Sequence, residues 1–162
     1  MSNDTHLPAA KDVRDLLADL LGRGVEVTTG GPMVDPAVDF GAMVGVYVDR
    51  QVRLAALVLL DIDLASRMGA AIALLPTRAA EAAINNGLLP DNIRDNTAEI
   101  LNIMASLFNV EGAPHVRLDA VYAPGDPIPA DVAQWILTFV RRCDLGVDVS
   151  GYGPGQFSLL VP

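Results

Sequence analysis

The sequence predicts an α/β chain of the α+β kind: a largely antiparallel sheet of about six strands with helices packed on it. Apolar runs at 43–48 and 52–60 are separated only by Asp49-Arg50-Gln51, and 142–150 and 156–161 flank Gly151-Tyr152-Gly153-Pro154-Gly155, so successive strands are joined by turns too short for a parallel crossover. Between these pairs, apolar residues recur at helical spacing over 9–21, 64–75 and 90–109. The length of 162 residues suits one domain, 1–162, and 51% hydrophobic against 19% charged residues is enough to build a core and too apolar for a disordered chain.

In chain order, Leu16, Leu17, Leu20 and Leu21 fall at helical spacing after Pro8, and Gly22 and Gly24 stop the run. Val25-Glu26-Val27-Thr28 then alternates as a first strand ending at Gly30-Gly31-Pro32, and a proline-containing loop runs to about Gly41. After the strand pair the period changes at Asp61. Leu64, Met68, Ala71, Ile72 and Leu75 mark one helix, and an alanine-rich one opens at Pro76-Thr77 and closes near Asn85-Asn86-Gly87. The longest helix opens at Pro90-Asp91 and continues to about Asn109 without internal Gly or Pro. Ile93, Thr97, Ile100, Leu101, Met104, Leu107 and Phe108 line one side of it, and Asn92, Asp95, Glu99, Asn102, Ser106 and Asn109 the other. Residues 116–122 alternate as a strand, 124–129 turn, and 130–139 read as a short helix carrying Trp135 and Phe139. Helices are expected on one face of the sheet.

Charge and composition exclude several functions. Eleven basic against twenty acidic side chains give a net charge of −9, and no basic cluster exceeds Arg141-Arg142, so neither nucleic acid nor an anionic membrane surface has a footprint. Asp61, Asp63 and Arg67 interrupt the most apolar stretch, which argues against a membrane span. The opening Met1-Ser2-Asn3-Asp4-Thr5-His6 lacks a positive patch before an apolar run, so no export segment is expected and the chain is assigned to the cytoplasm. Cys143, with only His6 and His115 to join it, makes no zinc set. It is expected to be a small buried apolar side chain, although its two arginine neighbours would lower the pKa of a reactive thiol. The glycines at 151–155 precede a strand rather than a helix, so they read as a hairpin turn and not a phosphate cradle, and no G-x-S-x-G occurs. Asp61 and Asp63, at a strand-to-helix corner, are expected to cap. Asp144 and Asp148, evenly spaced on a strand, are expected to face solvent.

Glu99 and Asn102 differ in kind. Spacing i and i+3 sets a carboxylate beside a carboxamide on the polar face of the longest helix. A carboxylate pairs with a lysine of a partner, and a carboxamide offers a donor and an acceptor that hold a water in line for attack on a phosphoryl group. Such a site needs no metal or cofactor of its own.

The stretch from Glu99-Ile100-Leu101-Asn102 through Asn109 resembles the E-x-x-N helix of the CheC/CheX/FliY family of chemotaxis phosphatases, most nearly its CheX branch. The element order is similar to a CheX-like order over nearly the whole chain. The resemblance implies a phosphatase that docks a phosphorylated CheY-like response-regulator receiver domain and hydrolyses its aspartyl phosphate. Glu99 would contact a receiver lysine, Asn102 would position the water, and the receiver would supply Mg²⁺. It implies one copy of the motif, where CheC-type members carry two, and a homodimer joined through sheet edges, which an exposed edge in so apolar a chain favours. Asp49-Arg50-Gln51 stands where CheX relatives commonly carry turn glycines, Ser106-Leu107-Phe108 replaces a glycine-bearing stretch, and 76–90 reads as an added helix before the motif. Two other functions suit the composition: a non-catalytic signalling or flagellar interaction module that kept the fold without the reaction, and a small acidic chaperone-like protein that binds clients in an apolar groove.

Overall fold

The computed structural model describes residues 4–162; residues 1–3, where the segment read as lacking an export signal begins, lie outside the described residues. The strands are β1 (Val25–Thr29), β2 (Ala42–Val48), β3 (Leu54–Asp61), β4 (Arg117–Tyr122), β5 (Arg141–Val149) and β6 (Gly153–Val161). The helices are α1 (Ala10–Leu21), α2 (Ile62–Ile72), α3 (Thr77–Asn86), α4 (Asp91–Ile103) and the single turn α5 (Ala130–Ala133). One six-stranded sheet runs β1-β5-β6-β3-β2-β4, and every neighbouring pair is antiparallel.

The central strands explain the pattern of the sequence. Every residue of β2 is buried, so its apolar run is continuous rather than alternating, as a strand covered on both faces requires. On one face Met43, Tyr47, Val58 and Leu60 meet Val13 and Leu17 of α1, Leu64 and Met68 of α2, and Ile100 and Leu101 of α4. The other face is not open. Val44, Val46, Leu57, Leu59 and Leu160 pack under Val34, Val132 and Ile136, so a loop and the short α5 segment cover the face expected to be free of helices.

Cross-links on this second face correct the reading of the strand carboxylates. Asp144 is only 14% exposed and Arg142 8%, paired at 2.8 Å. Ser158 Oγ donates to Asp144 Oδ1 (2.6 Å) and accepts from the Val34 N–H (2.9 Å). Arg142 also donates to the carbonyls of Ile136 (3.0 Å) and Thr138 (2.8 Å). Asp148, on the same row beyond that cover, is exposed. Of the helix expected over 130–139 only the turn Ala130–Ala133 forms: beyond it the backbone closes i→i−3 turns, from Trp135 N to the Val132 carbonyl (3.1 Å) and from Thr138 N to the Trp135 carbonyl (3.1 Å), Thr138 Oγ1 also donates to the Trp135 carbonyl (2.6 Å), and Phe139 is left 95% exposed. Cys143 is half-buried, and burial followed by the neighbouring Asp144 charge pushes its thiol pKa up, the opposite of activation by the arginines.

Candidate functional site

The site is built on α4, whose inner face is locked at three places. Ile93, Thr97, Ile100 and Leu101 are buried. Thr97 Oγ1 donates towards the carbonyls of Ala65 (2.8 Å) and Ile93 (2.9 Å), and Asn96 donates to the Gly69 carbonyl (3.0 Å), so α2 and α4 touch almost backbone to backbone. Only glycine fits at that crossing, because a Cβ on Gly69 would stand 2.5 Å from Thr97 Oγ1 and 2.6 Å from the Ile93 carbonyl oxygen. At the far end Tyr47 of β2 donates its hydroxyl to the Leu101 carbonyl (2.5 Å), and its ring lies 5.1 Å from that of Phe108. Burial pushes the Tyr47 pKa up, so the hydroxyl keeps its proton and remains a donor. Past Ile103 the helix tightens into the 3₁₀ turn Met104–Leu107, and Asn109 closes it by bonding both backbone groups of Val116 (2.8 and 2.9 Å). The expected single helix to 109 is therefore an α-helix with a 3₁₀ end.

Glu99 and Asn102 point away from this anchorage. Both are exposed, and neither side chain has a hydrogen-bond or ion-pair partner among the described residues. Arg94, the one cation on the helix, spans Asp91 and Asp95 at 3.5 Å each. Asp95 and Glu99 are like charges at i and i+4, a repulsion of a few tenths of a kcal/mol that Arg94, shared between Asp91 and Asp95, offsets in part and that a lysine from outside would relieve further. Helix α3 packs on α2 and leaves both residues exposed.

Neither residue lines the cavity of about 1100 Å³ near Arg50, Arg53, His115 and Arg141, nor the groove of about 500 Å³ near Phe40 and Asp61. The other sequence candidates are accounted for structurally. Asp61 Oδ1 caps α2 by accepting from Leu64 N (2.8 Å) and also accepts from Gln156 N (3.0 Å), while Asp63 lies 3.8 Å from Arg67. Among the described residues no group of three or more His, Cys, Asp or Glu is arranged to hold a metal ion, and no helix is long and apolar enough to cross a membrane. Sequence reasoning missed the mount: Tyr47 and Gly69. A glycine inside an otherwise apolar helix was the available sign of the second.

By sequence, the chain matches no protein-family model and no curated protein. By structure, FliM in the FliM–SpeE complex from H. pylori superposes with a TM-score of 0.53 at 11% identity, over 94% of this chain and 81% of that one. FliM in the FliG–FliM complex from H. pylori gives 0.51 at 11%, over 94% and 86%. The fold is that of FliM. The CheX–CheY complex from Borrelia burgdorferi gives 0.45 at 9%, over 91% and 90%. On this FliM-type fold, α4 crosses the sheet with one face buried and the other free.

Proposed function

We propose that the outer face of α4 docks the phosphorylated receiver domain of a response regulator in the cytoplasm and hastens loss of its aspartyl phosphate. The observation that supports this reading is the pairing of Glu99 and Asn102, exposed and without internal partners, on a helix whose opposite face is locked. Glu99 pairs with a receiver lysine, and the Asn102 carboxamide accepts from the attacking water while its N–H₂ donates to the phosphoryl group. The water oxygen bonds to phosphorus, the bond to the aspartyl oxygen breaks with its electron pair staying on the released carboxylate, and a water proton passes to a phosphate oxygen, so that inorganic phosphate leaves. The receiver supplies Mg²⁺. Because the acyl phosphate is already reactive, orientation is the main contribution asked of this chain. The outer strands β1 and β4 leave edges for the homodimer that the CheX resemblance implies.

The test mixes an acyl-phosphorylated receiver and Mg²⁺ with the wild type, Asn102→Ala or Glu99→Ala. Asn102→Ala is expected to keep binding and lose on the order of a hundredfold in stimulated rate. Glu99→Ala is expected to weaken binding. Release of phosphate no faster than the spontaneous rate with every receiver of the organism would overturn the catalytic reading. The FliM-type fold favours a second reading, a non-catalytic flagellar or signalling interaction module, since both FliM structures of higher TM-score are complexes with other proteins. Partner binding by the wild type without turnover supports that reading.

A further inference from the structure

A groove of about 500 Å³ opens between the 32–41 loop, the start of α2, and α3. Met33, Val38, Phe40 and Ile84 are among the apolar side chains that line it. Val38 and Phe40 are 52% and 54% exposed, an unfavourable position for large apolar groups in a monomer. Phe40 packs on Gly87 on one side, its ring so close that a Cβ there would stand 2.4 Å from it. A concave setting with accessible apolar side chains is what a docking surface requires.

The charge in this groove has one sign: Asp35, Asp39, Asp61 and Asp63 line it, and no Lys or Arg does. Arg67, 3.8 Å from Asp63, is already engaged by Glu81 and by the carbonyls of Tyr152 and Pro154. Gln156 also lines the groove, and its buried Oε1 has no hydrogen-bond donor. Carboxylates among apolar side chains attract an apolar side chain carried between cations and repel one carried between anions.

We infer that this groove is a second docking site, separate from the outer face of α4, for a partner-protein segment with one bulky apolar side chain flanked by Lys or Arg. The inference does not rest on the phosphatase reading. The probe is a fluorescein-labelled peptide with one Phe between two pairs of Lys, titrated with the full chain and followed by anisotropy. Binding is expected to weaken about tenfold in the triple variant Asp35→Asn/Asp39→Asn/Asp63→Asn, which keeps side-chain shape and the Asp35 acceptor for Ala37 N, and to weaken also in Val38→Ser. Equal neutralisation elsewhere, by Asp19→Asn/Glu26→Gln/Asp148→Asn, is expected to change binding little, as is Glu99→Ala/Asn102→Ala. The inference is overturned if the two neutralised triples weaken binding alike, if a peptide with Ser in place of Phe binds as well, or if the α4 variant abolishes binding. It is overturned equally if the peptide shows no binding above that of its glutamate-flanked counterpart.

Discussion

Asp61 holds two elements with one oxygen, the start of α2 through Leu64 N and β6 through Gln156 N. Burial raises its pKa above the ordinary 3.8, against the pull of those two N–H groups. The native state thus binds this proton more tightly than the unfolded chain. The group's contribution to stability is greatest below 3.8 and is lost as pH rises through the raised native value. Asp61→Asn keeps the acceptor and removes the titration. Near neutral pH it is expected to match or exceed the wild type, which gains on it as pH falls through that window. Asp61→Ala loses both bonds and is expected to cost about 1–2 kcal/mol. Urea midpoints of the three proteins across pH check both outcomes.

The crossing of α2 and α4 decides how the candidate pair is presented. Gly69→Ala gains about 1 kcal/mol of helix propensity and drives a methyl into Thr97 Oγ1 and the Ile93 carbonyl. Overpacking is expected to win, with a net loss on the order of 1–3 kcal/mol read as a lower urea midpoint at unchanged slope. The faces of α4 were legible in the sequence because a 3.6-residue period needs no knowledge of neighbours: the residues assigned inward are buried, and Glu99 and Asn102 are exposed. Its mount was not legible. Gly69 has its meaning only beside Ile93 and Thr97, and Tyr47 only beneath Leu101, contacts that tertiary packing creates. Over 130–139 only the first turn is helical, and the rest passes through i→i−3 turns into β5.

For the whole molecule, the sheet has two covered faces, and the second is tied down by polar groups. Arg142→Ala leaves Asp144 buried without its cation and frees the carbonyls at 136 and 138. A loss of about 3 kcal/mol is expected, with the double variant Arg142→Ala/Asp144→Ala destabilised by less than the sum of the singles. Denaturant unfolding of the four proteins measures the coupling. The two short connections announced antiparallel pairs, whereas the cover on both sides of β2 departs from the expectation of helices on one face alone. Period-2 spacing put Asp144 and Asp148 on one row but held no information about the loop that dries one end of it.

Tyr47 grips the carbonyl of Leu101, the residue just before Asn102, from a strand position 54 residues earlier in the chain. Turning α4 about its axis means surrendering that grip or dragging the middle of the sheet along. Whatever molecule comes to this helix finds a hard template of fixed pitch, and the bending needed for a fit falls on the visitor.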